Sequence, residues 1–181
     1  MERITGRWKG CPTWPPLLLV ALIVLVSCQT GETDLPFESI AQAPSFGTGH
    51  DYSDTDPELL ILTSPEEVDA PGADVQFDSD LAEQLRAVDY QTRFVVMVLR
   101  GQLGGQSPSY AIDVLEVTRR GDRVVVQTHF GELGPEQGAL MSFSSPYHAI
   151  SVSKEGKWAR KIQFVLKEDG KTVKKRTRFV P

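Results

Sequence analysis

The apolar and polar positions of this chain fall into three regimes. Leu17 to Val26 is a continuous apolar run of 10 residues. A helix needs about 20 such residues to span roughly 30 Å of hydrocarbon, so this run is too short to cross a bilayer. From Gln29 to about residue 57 no helical or strand period is visible. That stretch mixes Pro, Gly, Ser, Thr and acids and reads as a disordered acidic tether. From residue 58 onward the pattern becomes regular, and 58–181 reads as one β-rich domain.

Within the domain, Leu59-Leu60-Ile61-Leu62-Thr63 predicts a short strand. Ser64-Pro65-Glu66-Glu67 predicts a helix start, with Ser64 as cap and acids at the positive end, ended by Ala70-Pro71-Gly72. Asp80-Leu81-Ala82-Glu83 has the form of a capping box. Leu81, Leu85 and Val88 then share one face of a short amphipathic helix that should pack on a sheet. The continuous run Phe94 to Leu99 predicts a central strand buried on both faces. Tyr110–Val117 and Val124–Phe130 predict a hairpin about the turn Arg119-Arg120-Gly121-Asp122. Ala139–Ser144 and Tyr147–Ser153 follow as two strands broken by Pro146, which cannot donate to a ladder. The last pair turns at Glu168-Asp169-Gly170. There Ile162, Phe164 and Leu166 alternate with Lys161, Gln163 and Lys167. Val173, Thr177 and Phe179 are expected to enter the core, and Lys174, Arg176 and Arg178 to carry charge into water. The sum is a mostly β domain of six or seven antiparallel strands with one or two short helices, closed as a sandwich or a half-open barrel.

The first regime gains meaning from its flanks. Arg3, Arg7 and Lys9 precede the apolar run and small residues follow it, the layout of a secretory signal peptide. Leu25-Val26-Ser27-Cys28 resembles the bacterial lipobox. That resemblance implies diacylglyceryl transfer to the Cys28 thiol and cleavage before it. Residues 1–27 are then the signal peptide and 28–57 the tether, and the protein is expected outside the cytoplasm, lipid-anchored to a bacterial membrane. A single acyl chain binds membranes marginally, whereas two or three hold firmly.

The formal charge of −5 hides an asymmetry. Residues 29–93 carry 15 acids and 2 bases, whereas 154–181 carry 3 acids and 10 bases. The acidic front argues against nucleic acid as a partner. The basic end suits either a solvated strand edge or an anionic surface. Cys11 lies in the signal segment, so Cys28 is the single cysteine of the mature chain. No internal disulfide and no cysteine-based zinc site can form there.

Candidate chemistry is sparse. Asp51, Asp54 and Asp56 lack the Gly and distal Glu of a calcium loop. His50 lies in the tether, while His129 and His148 fall at strand ends and could meet across a sheet with Asp113 or Glu132. No spacing demands a metal site, and none is assigned. The serines of Ser144-Ser145-Pro146 and Ser107-Pro108-Ser109 have turn chemistry and no nucleophile elbow. No catalytic residue and no cofactor is assigned. The glycine-bearing loops 101–109 and 131–138 are the natural binding elements of a rigid β scaffold, provided that they share one end of it.

Over Phe94 to Val152 the order of features resembles the C-terminal domain of the PrcB family of protease-complex lipoprotein subunits. The residues concerned are the strand Val95 to Gly101, the pair Gly104-Gly105, Tyr110 to Val117, Arg120-Gly121-Asp122 and Val124 to Phe130. Gly134-Pro135 and Pro146-Tyr147-His148 complete the set. It covers about a third of the chain. Gln106-Ser107-Pro108-Ser109 departs from the pattern by separating the glycine pair from Tyr110. The resemblance implies an envelope-anchored, non-catalytic module that binds or stabilises a secreted protease. Gly104, Gly105, Tyr110, Gly134, Pro135, Pro146, Tyr147 and His148 are the candidate partner-binding residues. The membrane, reached through Cys28, is the second expected partner. Two alternatives stand beside this reading: a ligand-binding or hydrolytic envelope lipoprotein that uses the histidines, and a purely structural envelope protein.

Overall fold

A computed structural model describes residues 31–43, 52–72, 75–103, 110–132 and 145–181. They form a β-sandwich with a helical layer on one side. The elements in chain order are β1 (Thr33–Asp34), β2 (Phe37–Ala43), β3 (Glu58–Leu62), a 3-10 turn at Pro65–Val68, α1 (Ser79–Arg86), β4 (Arg93–Leu99), β5 (Tyr110–Arg120), β6 (Arg123–Glu132), β7 (Tyr147–Ser153), β8 (Arg160–Glu168) and β9 (Lys171–Val180). One sheet has the order β1-β5-β6-β8-β9 and the other β2-β7-β4-β3.

The central strand expected over Phe94–Leu99 is β4, buried along its length. Its alternate residues feed two cores. Phe94, Val96 and Val98 face the five-stranded sheet and meet Ile112, Val124, Val126, Ile162, Phe164 and Leu166. Phe94 packs its ring against Trp158 and Phe164, with centroids 5.2 and 5.7 Å away. Val95, Met97 and Leu99 face the other way, against Leu81, Leu85, Val68 and Val75 of the helical layer. A strand apolar on both faces is therefore what a three-layer arrangement requires.

Two hairpins form where turn chemistry predicts them. Gly121 and Asp122 join β5 to β6, with Gly121 at φ +60°. Asp169 and Gly170 join β8 to β9 with φ of +46° and +81°, the double left-handed conformation of a two-residue hairpin turn.

Four expectations need correction. First, part of the stretch read as tether is folded. β1 pairs with β5 and β2 pairs with β7, and Leu35 is buried. Tyr52 is buried as well, and its hydroxyl donates to the Asp56 carbonyl at 2.9 Å. Asp54 accepts from the Asp56 amide at 3.2 Å, so it shapes a turn. Backbone pairing at sheet edges holds these strands with few apolar side chains, which is why their composition looked disordered. His50 and Asp51 lie outside the described residues.

Second, the described residues form nine strands, and β6 and β8 run parallel. Between them the chain visits the other sheet: β7 returns it to the end where β6 began, so β8 sets out in the same direction. The expected strand Ala139–Ser144 lies outside the described residues.

Third, β9 is turned over relative to expectation. Ile162, Phe164 and Leu166 point into the core, and their register partners are Arg178, Arg176 and Lys174. Those cations therefore face inward across the open side of the sandwich, while Lys175, Thr177 and Phe179 point outward. Phe179 is 53 % exposed. The inward cations reach carboxylates of β3 and of the 3-10 turn that follows it. Arg176 and Lys174 pair with Glu58, and Arg178 pairs with Glu67. Val173 sits at the bulge near Leu166 and still packs on the core.

Fourth, the helix begins earlier than its apparent capping box. Asp78 is the cap and accepts from the Leu81 amide at 2.9 Å. Ser64 makes no side-chain capping bond at the 3-10 turn.

Candidate functional site

The sandwich has two distinct ends. Arg120-Gly121-Asp122-Arg123, the start of β8 and the chain entering β1 lie at one of them. At the other, β4 ends and β5 begins, and β6 ends and β7 begins. Leu99 pairs with Tyr147, and Tyr110 with Glu132. The Arg100 guanidinium lies over the Phe130 ring at 4.8 Å, which ties the two sheets together there. The two glycine-bearing loops thus leave the scaffold from one end. β5 alone, with 11 residues, separates that end from the opposite one by roughly 35 Å.

Among the eight candidate binding residues, Gly104, Gly105, Gly134 and Pro135 lie outside the described residues, as does Cys28. Tyr110 opens β5, and Tyr147 opens β7 and is buried. The Pro146 carbonyl accepts from the Arg100 amide at 2.9 Å, so Pro146 supplies an acceptor where it has no donor to give. At the base of the other loop, Gly101 takes φ +89° against the Thr55 backbone, and the Gln102 amide donates to the Asp54 carbonyl at 2.6 Å. The segment that carries Asp54 therefore buttresses the rim. Its acids gave no hint of this role, because the bonds are made by backbone.

His148 is buried where β7 meets β5. The Val114 amide donates to its Nδ1 at 3.2 Å, beside a bulge that interrupts the β5–β6 ladder. Ser39 Oγ lies 3.0 Å from its Nε2. The spacing is that of a Ser–His dyad, but the proton is in the wrong place for one. An Nδ1 that accepts a backbone N–H carries no proton, so Nε2 carries it and donates to Ser39. His148 in this tautomer cannot take the Ser39 proton. Burial pushes its pKa below the usual range, and the nearby Asp113 charge and a hydrogen bond with the Ile112 backbone pull the other way. The neutral ring is what the hydrogen bonds need.

His129 does not join it. Asp113 stands opposite His129 in register, and His129 Nδ1 lies 2.9 Å from Asp169 Oδ1 at the β8–β9 turn. That hydrogen bond and the Asp169 charge raise the His129 pKa. Gln42 bridges the β2 edge to β5, donating to the Ile112 carbonyl at 2.7 Å and to Asp113 at 3.0 Å. Among the described residues, no group of three or more His, Cys, Asp and Glu side chains is placed to hold a metal ion.

Arg119 organises the opposite end. Its guanidinium lies 3.9 Å from the Trp158 ring centroid and donates to the carbonyls of Gly121, Glu155 and Lys157. Burial lowers its pKa, and the Arg160 charge adds to that. Three carbonyls and a ring fix the β7–β8 connection against the β5–β6 turn. Next to it is a cleft of about 380 Å³ lined by Gly31, Leu35, Arg119, Lys157 and Arg160. A second hollow of about 200 Å³ lies where Arg176 and Arg178 cross the β3 edge. Both clefts open broadly to solvent.

Comparison with family models, with curated proteins and with solved structures finds no match to this chain.

Proposed function

We propose that this chain is an extracytoplasmic lipoprotein, anchored through Cys28, whose sandwich is a non-catalytic module for binding another envelope protein. The observation that carries the reading is the common origin of the two glycine-bearing loops. Their flanking strands, ending at Leu99 and Glu132 and resuming at Tyr110 and Tyr147, meet at one end of a rigid scaffold. Loops so presented are the usual site of protein recognition. The chain enters the fold at the other end, where β1 pairs beside Arg119, so an anchor at Cys28 leaves the loop rim directed away from it. The Val114 amide directed at His148 Nδ1 supports binding rather than hydrolysis at the Ser39 pair, because a ring that accepts there presents a protonated Nε2 to Ser39. A secreted protease is the partner class we assign, on the ordered residues similar to the PrcB family.

The test is affinity purification of the tagged protein from gently solubilised membranes, beside the Cys28→Ser variant. The expected result is a secreted protease at near-equal amounts, depleted with the variant. A preparation without any partner, or a partner retained equally by a variant with both loops shortened, overturns the reading.

A further inference from the structure

The four-stranded sheet is sandwiched between the main core and α1, whereas the outer face of the five-stranded sheet carries no packed element among the described residues. Register places Arg123, Val125 and Gln127 of β6 beside Gln163, Val165 and Lys167 of β8 on this face, with Val165 buried at its centre. Lys175, Thr177 and Phe179 of β9 continue it, with Lys161 opposite Phe179. Four cations, Arg123, Lys161, Lys167 and Lys175, stand there, and the outward residues of these three strands include no carboxylate. On β5 the face continues with Arg120 directly opposite Arg123, and with the carboxylates Glu116 opposite Gln127 and Asp113 opposite His129, so the cations concentrate on β6, β8 and β9. Arg120 and Arg123, directly opposite each other, are like charges that weaken the sheet locally. The far side of the molecule is of opposite sign: Glu66, Asp69, Asp80, Glu83 and Asp89 are exposed on the helical layer.

Folding of the N-terminal segment sets the distance from this face to Cys28. Gly31 already borders the cleft with Arg119, Lys157 and Arg160, at the β1 edge of the same sheet; β6 with Arg123 lies two strands from that edge, about 10 Å, and β9 four strands, about 19 Å. Two residues, Gln29 and Thr30, separate Gly31 from Cys28, so three Cα–Cα steps span at most about 11 Å of extended chain. That is close to the Debye length of about 8–10 Å at physiological ionic strength, so charges near this edge sense whatever surface holds Cys28.

We infer that the basic outer face of β6, β8 and β9 lies against an anionic bilayer, beside the lipid on Cys28, with Phe179 entering the interface. This rests on the reading of Cys28 as the anchor. The charge pattern orients the domain: cations turn toward anionic headgroups and the acidic helical layer turns away. Each Lys or Arg near such a surface contributes roughly fivefold to the bound population. An acyl anchor together with a basic patch supplies the two signals that stable attachment needs. An acidic protein would match the same charges, but nothing would hold it within reach of this sheet as the anchor holds the bilayer.

The experiment supplies the anchor chemically, so that its outcome is separate from lipidation in cells. Residues 28–181, in which Cys28 is the single thiol, are coupled to a maleimide lipid in vesicles of phosphatidylglycerol and phosphatidylcholine, or of phosphatidylcholine alone. Acetylation rates of Lys161, Lys167 and Lys175 are read by peptide mass spectrometry. The expected result is slowing of about threefold or more on the anionic vesicles, lost at high salt. In the K161E/K175E variant, the Lys167 rate should return to that seen on neutral vesicles. Equal rates on both vesicles overturn the inference, as does Lys167 protection that survives in the variant. Slowing by soluble polyglutamate without slowing on anionic vesicles also overturns it, in favour of an acidic protein. Failure here leaves the assignment of Cys28 untouched, since that is decided by the mass of the mature protein from cells.

Discussion

Glu58 is only 3 % exposed, yet it carries a charge. Burial pushes its pKa up. Hydrogen bonds from Arg176 at 2.9 and 2.6 Å, from the Leu59 amide at 2.8 Å and from Lys174 at 2.9 Å more than offset this, so the net shift is down. Removing the carboxylate leaves two cations facing inward without a partner. Because both are partly exposed, Glu58→Ala should cost about 2–3 kcal/mol in urea unfolding. A pKa lower in the folded state means that the stabilisation is present above the ordinary glutamate range and is lost as pH falls through the folded value. Glu58→Gln should therefore flatten the acid limb of the stability profile. His148 acts in a different window. Its folded pKa is lowered by burial, so stability should decline as pH drops below about 6.5, where the unfolded chain takes up the proton first. Ala159 has φ +44°, a left-handed conformation that an alanine adopts at a cost. Ala159→Gly should raise stability by about 0.5–1 kcal/mol, read from the urea midpoint.

Elements were legible where one physical signal dominated. β4 showed itself by its continuous apolar run, and both hairpins by turn residues with the required φ. α1 was visible in Leu81 and Leu85, although Asp78 rather than Asp80 caps it. Asp78→Ala should lower stability by about 1 kcal/mol. β9 is legible as a strand, but its phase is not. Its alternation of Thr177 and Phe179 with Arg176 and Arg178 favours the apolar side inward, and the carboxylates of Glu58 on β3 and Glu67 in the 3-10 turn reverse that choice. β1 and β2 were not legible, because edge pairing with β5 and β7 supplies what their side chains lack. The same holds for the candidate site. The loop residues could be named, but that both loops share an end depends on register. The Ser39–His148 contact spans 109 residues and left no local trace. Gly101→Ala should perturb the rim from below. A Cβ there would press into the Thr55 carbonyl, and φ +89° disfavours any side chain, so a loss of more than about 1 kcal/mol is expected in thermal unfolding.

At the scale of the whole molecule, charge and connectivity give the sandwich a direction. The chain enters beside Arg119 at the β1 edge, the cations stand on β6, β8 and β9 toward the opposite edge of the same sheet, and the strands that flank both glycine-bearing loops end at the far end. The acids of the first half and the bases of the last part, which look like two separate biases along the chain, meet in the fold where Lys174, Arg176 and Arg178 pair with Glu58 and Glu67, while Lys161, Lys167 and Lys175 stand on the outer face away from the acids of the helical layer. Such a molecule suits a post held at a bilayer that offers its loops to a second protein. Photo-crosslinking in intact cells tests this most directly, with a photoreactive residue at position 106 in one loop or at position 163 in the middle of the basic face. The account predicts a discrete protein adduct from position 106 and lipid adducts from position 163. Protein adducts from position 163, with none from position 106, would contradict it.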